Sequence, residues 1–215
     1  VSLYINLTGN WQLLNSTLIS ASSNPQLVEF AGHTFTCQNV GIKNVLMVAT
    51  DEFNYSTNST ASMTIEKDDV TISFVSPYSF TLGREGNDSA TLGSYVYDSD
   101  RNNIPIIANI SYYVTFDGVN YLKVGINQSD SSGYSMFIFD PNCSYNVGIQ
   151  SWQAGTIDNA CYKDTNSSIP GAKITIIGQL KNFLIEPAYG SNILIEIGKT
   201  VNVTSKITDE CGIPI

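Results

Sequence analysis

The pattern in this chain most ready for chemistry is asparagine two places before serine or threonine. It occurs ten times, at Asn6, Asn15, Asn54, Asn58, Asn87, Asn109, Asn127, Asn142, Asn166 and Asn202. Each is an acceptor for an N-linked sugar in a chain that meets the glycosylation machinery. With 21 Asn and 43 Ser and Thr, chance would give about four such patterns. The excess points to a secreted, glycan-coated surface, against the plainer alternative of an Asn-, Ser- and Thr-rich chain without sugars. Asn87 and Asn142 are the weakest acceptors, because Asp88 and Cys143 occupy their middle positions.

Other chemistry is sparse. Four cysteines, Cys37, Cys143, Cys161 and Cys211, contain no C-x-x-C pair, and His33 is the single histidine, so neither a zinc site nor a thioredoxin-like motif is formed. An even count in an extracellular setting reads as disulfides. His33 has no nucleophile motif such as G-x-S-x-G beside it. The carboxylates are scattered rather than paired for acid and base work. Asp98, Asp100, Asn102 and Asn103 could offer oxygens to calcium, but Asp and Asn are also ordinary turn formers. Trp11, Trp152, Tyr112, Tyr113, Tyr121 and Tyr134 would serve either as a sugar-binding platform or as core and cross-strand packing. The expectation is no enzyme: no catalytic residue, no resident metal and no cofactor.

Composition narrows the partners. Ten Lys and Arg against 19 Asp and Glu give a net charge of −9, the wrong sign for nucleic acid or an anionic membrane surface. Charged residues are only 13% of the chain, about half the usual share of 25%. Polar uncharged side chains must therefore cover the surface. No apolar run approaches the roughly 20 residues that span a bilayer, so no membrane span is expected.

The elements that position these residues come as a repeat of near 110 residues. Val40 to Asp51 runs without a gap against Val147 to Asp158, Thr57 to Thr60 sits opposite Thr165 to Ser168, and Ile207 to Ile215 matches Val96 to Ile106. Such self-similarity marks an array of like modules. Within a copy, Val1, Leu3, Ile5 and Leu7 alternate with polar residues, as Ile110, Tyr112, Val114 and Phe116 do in the next, the period of a strand with one buried face. Thr8-Gly9-Asn10 and Asp117-Gly118 follow as hairpin turns. Further strands are predicted at Val70–Val75, Ser89–Tyr97, Tyr134–Phe139, Tyr145 to about Trp152 and Lys173–Ile177. Helix signals are nearly absent. About seven short strands per 110 residues describe an all-β chain of tandem antiparallel immunoglobulin-like β-sandwiches.

The segments Ser111–Gly125 (SYYVTFDGVNYLKVG), Ser132–Phe139 (SGYSMFIF) and Tyr145–Trp152 (YNVGIQSW), with the T-N-S-S loop and the turn TDECGIPI, resemble the immunoglobulin-like repeats of prokaryotic surface proteins. These include invasin-type arrays and the S-layer and filament proteins of archaea. The resemblance spans the whole chain and implies a secreted structural module, with glycan density and low charge of archaeal rather than bacterial character. It implies no chemistry, because the same sandwich hosts unrelated functions.

Three segments follow: a C-terminal part of a module at 1–68, a complete module at 69–179, and an N-terminal part at 180–215. The expected function is a structural glycoprotein of a surface layer, stalk or filament, located outside the cell, with N-linked glycans and self-association. The alternative is an adhesin or receptor ectodomain that binds a ligand through its loops. The two partial modules add up to one whole. Either the boundaries are arbitrary, or the strands Phe183–Ile185, Ile193–Ile197 and Val201–Ile207 complete residues 1–68 of a neighbouring subunit. A bond between Cys143 and Cys161 is expected within the complete module, if Ala154–Ala160 folds back along its strand. A parallel bond between Cys37 and Cys211 would then link neighbours. Asn58 and Asn166 are expected in equivalent exposed loops, both glycosylated.

Overall fold

The computed structural model describes residues 1–20, 24–30, 32–76, 79–86, 88–167 and 171–214. Regular structure among them is extended, apart from one 3-10 turn at Cys37–Asn39. The chain divides into two compact units. The first is Val1–Asp69 with Asn159–Lys163, and the second is Val70–Asp158 with the chain from Asp164 onward.

The first unit is one antiparallel sheet of β1 (Ser2–Asn6), β2 (Trp11–Ser16), β3 (Gly41–Thr50) and β4 (Ser56–Ile65), in the order β2-β1-β3-β4. The predicted turn joins β1 to β2, with Gly9 at φ 95° and its N–H donated to Asn6 Oδ1 at 2.6 Å. That backbone region is closed to most side chains. Among the described apolar residues of this unit, only Ile5 is fully buried.

The second unit contains a complete sandwich. One sheet has the order β10-β9-β12-β13-β6 and the other β11-β7-β5, with a short strand β8 on β7. Their ranges are β5 Val70–Ser76, β6 Thr81–Gly83, β7 Ala90–Asp98, β8 Ile104–Pro105, β9 Asn109–Thr115, β10 Tyr121–Gln128, β11 Tyr134–Phe139, β12 Gly148–Thr156 and β13 Ala172–Ile177. Pairing is antiparallel except between β13 and β6. Trp152 on β12 is fully buried, edge-on to Phe74 of β5 with ring centres 4.8 Å apart. Tyr112 on β9 stacks on Phe137 of β11 at 5.5 Å, and its hydroxyl lies 3.0 Å from that of Ser94 on β7. Aromatic packing between facing sheets with the one polar handle satisfied is what a sandwich core requires. Trp152 and Tyr112 are thus core residues, whereas Tyr113 and Tyr121 are half-buried and Trp11 and Tyr134 are exposed.

The same unit ends in a separate hairpin of β14 (Leu180–Glu186) and β15 (Thr204–Asp209). Val201–Val203 only lead into β15, and residues 193–197 form no strand.

The repeat extends to register. Ile5 pairs with Val45 as Val114 pairs with Trp152. Leu14 is skipped between β1 and β2 as Val124 is skipped between β9 and β10. In β14–β15, Asn182 pairs with Ile207 and a bulge falls at Leu184/Glu186. In β5–β7, Ile72 pairs with Val96 and the bulge falls at Phe74/Ser76. Shared offsets of this kind make β14 and β15 the counterparts of β5 and β7, and β1 to β4 the counterparts of β9, β10, β12 and β13.

Three expectations are corrected. The disulfides join Cys37 to Cys161 and Cys143 to Cys211. A Cys143–Cys161 bond fails because β12 runs straight between them, and its nine residues extend about 30 Å where a disulfide needs Cα atoms within about 7 Å. Cys37 and Cys211, expected to join neighbours, are each bonded within one chain. Asn58 lies within β4, opposite Val48, and not in a loop equivalent to that of Asn166. The connection between β3 and β4 is only residues 51–55, while that between β12 and β13 runs over 157–171.

Candidate functional site

The β14–β15 hairpin is held by a buried charge cluster. Arg84, just beyond β6, donates from Nε to Glu210 Oε1 at 2.6 Å, from Nη2 to Asp209 Oδ2 at 2.7 Å and from Nη1 to the Tyr145 carbonyl at 3.0 Å. Its side chain is 2% exposed, and those of Asp209 and Glu210 are 10% and 3%. The remaining oxygens are also used. Asp209 Oδ1 accepts the N–H groups of Cys211 and Ile213, and Glu210 Oε2 accepts that of Gln179. Burial works against the charge on Arg84, but hydrogen bonds and attraction from Glu210 and Asp209 outweigh it and hold its pKa above the usual guanidinium value. Burial likewise opposes ionisation of Asp209, and the Ile213 N–H and Arg84 reverse the sign, leaving its carboxyl below the ordinary range. Glu210 is lowered in the same way by main-chain N–H groups and Arg84. Gly178 is required here, since a Cβ would stand 2.9 Å from Arg84 Nη2. The Cys143–Cys211 bond closes the attachment, and Tyr145, buried edge-on to Phe139, supplies its carbonyl.

The attachment leaves one hairpin face open. Leu180, Leu184, Val203 and Ile207 project toward it, and Leu180 is 70% and Val203 67% exposed. Their counterparts in the complete sandwich include Val70 at 9%, and Leu92 and Val96 at 0%. The same strand pair is therefore core in one copy and surface in the other. An exposed apolar ribbon with an unpaired edge is a template for strand addition.

The other sequence candidates are dispersed. Asn54, Asn58, Asn127, Asn142, Asn166 and Asn202 are exposed, Asn6, Asn15 and Asn109 are half-buried, and Asn87 lies outside the described residues. Asn127 Nδ2 donates to the Met136 carbonyl, and Asn166 lies over Gly155, where a Cβ would collide with its Oδ1. Asp98 caps a turn, its Oδ1 accepting the N–H groups of Asp100 and Arg101, as Asp209 does in the next copy. Among the described residues, no three His, Cys, Asp or Glu side chains gather at one point. His33 stacks edge-on against Phe35. In the first unit an open groove of about 880 Å³ is lined by Val1, Leu18, Ile19, Asp51, Glu52 and Tyr55. No helix is long and apolar enough to cross a membrane.

Sequence reasoning missed Arg84. It is one of only two arginines, the other being Arg101, and no motif surrounds it. The one available signal was the Asp-Glu pair at 209–210 in a chain poor in charge.

No family model matches the chain, and no curated protein sequence matches it. Among solved structures, a tetra-tandem repeat in the extending region of a large adhesion protein is similar over 98% of this chain and 56% of that one, at 13% identity and a TM-score of 0.40. Escherichia coli alpha-2-macroglobulin activated by porcine elastase is similar over 88% and 21%, at 11% identity and 0.36. Murine CEACAM1b is similar over 66% and 61%, at 18% identity and 0.31. The chain spans less than two thirds of each of these structures. The fold rests on the strand pairing described above.

Proposed function

We propose that this chain is an extracellular structural glycoprotein, or a segment of one. It contributes immunoglobulin-like modules to a surface layer, stalk or filament and associates with copies of itself by strand complementation. It is not an enzyme, and its exposed sequons carry N-linked sugars. One observation carries the reading: β14–β15 repeats the register and bulge of β5–β7 yet exposes the face that β5–β7 buries. Two disulfides fit an oxidising, extracellular setting. A facing sheet would cover the open ribbon, and head-to-tail contacts that do not close give rods.

Sedimentation and electron microscopy of the purified, unreduced protein over a range of concentrations test this. Rods that lengthen with concentration are expected, and a monomer at every concentration overturns the reading. The groove beside Tyr55 favours a second reading, a ligand-binding ectodomain. Saturable binding of an oligosaccharide by the monomer, lost in Tyr55→Ala, would install that reading instead.

A further inference from the structure

We infer that Leu27–Phe30 of one copy pair as a strand along the free edge of β15 in a second copy. There they would take the place that β11 takes beside β7. This rests on the self-association proposed above and names the segments that meet.

In the complete sandwich β11 is an edge strand whose one neighbour is β7. The counterpart of β7 is β15, which has β14 on one edge and no described strand on the other. A counterpart of β11 is missing from the first unit, where residues 24–30 form no strand and Leu27 is 85% exposed. Both absences have one cause. A strand that pairs only with β7 cannot form where that partner is lacking, because its N–H and C=O groups would gain nothing from extension.

The ungapped match of Val40–Asp51 to Val147–Asp158 fixes the alignment, and the Ile5–Val45 register shows that the fold keeps it. Carried back along the chain, it sets Leu27, Val28, Glu29 and Phe30 where Tyr134, Ser135, Met136 and Phe137 stand. Phe30 then takes the inward position of Phe137, which stacks on Tyr112; the counterpart of Tyr112 is Leu3. Ser135 pairs with Ser94 and Tyr134 with Tyr95. By the same register Val28 falls opposite Ser205, and Leu27 opposite Lys206. Glu29 then lies opposite Thr204 on the outer face, one diagonal step from Lys206, a favourable cross-strand charge pair. The occupant is a second copy, because among the described residues each copy offers both halves of one missing pairing, a β15 edge without its strand and a Leu27–Phe30 segment without a β7-like partner, and head-to-tail copies satisfy both.

The test is an oxidative cross-link between Val28→Cys and Ser205→Cys, with peptide mapping to confirm that Cys37–Cys161 and Cys143–Cys211 are retained. In the doubly substituted chain a ladder is expected on a non-reducing gel. A mixture of the two single variants should give a heterodimer and nothing longer. Leu27→Cys with Ser205→Cys, whose side chains leave opposite faces, should give at least about tenfold less. Rods without the cross-link overturn this inference and leave the proposed function standing. Neither rods nor cross-link overturns both. A bond between the two introduced thiols within one monomer shows that the chain completes itself and overturns the second copy as occupant.

Discussion

Arg84 Nε stands 2.6 Å from Glu210 Oε1 across 126 residues of chain, and both side chains are almost wholly removed from water. Arg84 thereby joins the far side of a complete sandwich to the root of a hairpin belonging to the next repeat. Its five N–H donors suit this role, since one guanidinium can engage two carboxylates and a carbonyl at once. Such clusters specify an arrangement more than they add stability, and removing one member is costly. The hairpin is thus presented in one orientation, with its apolar face outward.

Substituting Arg84→Met leaves Glu210 buried without its counter-charge, a change that costs ~3–5 kcal/mol. The cost falls on the hairpin's attachment, since the sandwich core around Trp152 is untouched. Opening of β14–β15 should rise at least about a hundredfold, the factor that goes with ~3 kcal/mol. Limited proteolysis between Glu186 and Thr204 reads this directly. Unchanged cleavage would show that the disulfide alone fixes the hairpin.

Acid should release the hairpin before it unfolds the sandwich. Asp209 and Glu210 both titrate below their ordinary values in the folded chain. A lowered folded pKa gives stability that is complete above the unfolded value, about 4, and is lost as pH falls through the folded one. Hydrogen exchange in β14 and β15 should therefore rise as the pH falls below about 4, with β12 still protected. In Glu210→Gln the rise should be smaller. An equal rise in β12 would mean that the cluster does not control the attachment.

The strands were largely legible because alternation at Val1, Leu3, Ile5 and Leu7, and again at Ile110 to Phe116, depends on local sequence alone. So did the turn at Gly9. Disulfide pairing was not legible, because it depends on distances: sequence separation favoured Cys143 with Cys161, and the straight run of β12 forbids it. Asn58 was misplaced for a related reason. The repeat matches its sequence to that of Asn166, but five residues connect β3 to β4, so the strand takes in a sequon that the longer connection after β12 leaves outside. Arg84 was invisible because its partners lie more than a hundred residues away.

Non-reducing peptide mapping should recover Cys37 with Cys161 and Cys143 with Cys211. Replacing Cys143 and Cys211 by Ser opens a 68-residue separation, worth about 4 kcal/mol in the chain-entropy model. Thermal unfolding should lose that amount mainly from the hairpin, and its protease sensitivity should rise to an extent comparable with that of Arg84→Met. Recovery of a Cys143–Cys161 peptide would show that β12 does not run as described.

Core packing offers a check that is independent of assembly. A Cβ at Gly125 of β10 would collide with the ring of Phe137, which is itself held against Tyr112. Gly125→Ala should therefore cost about 1–3 kcal/mol by overpacking and lower the melting temperature by several degrees. Adding Phe137→Leu, which shortens the ring side at the point of collision, should return part of the loss relative to Phe137→Leu alone. A strictly additive pair of losses would mean that the two residues do not meet.

Glycan occupancy should follow exposure and not the repeat. Asn54 sits in an exposed turn at φ 65°, and Asn58 and Asn202 are exposed on or beside strands. These three should be filled in protein from a glycosylating host. Asn142 has Cys143 in its middle position, and its Oδ1 is engaged by the Ser144 N–H, so it should be the least filled. Glycopeptide mass spectrometry measures each site separately. If Asn54, Asn58 and Asn202 are bare while half-buried Asn6, Asn15 and Asn109 are filled, folded-state exposure does not govern the coat. A chain bare at every site in such a host would remove the glycoprotein reading altogether, while leaving the open β14–β15 face and its partner to be judged by assembly alone.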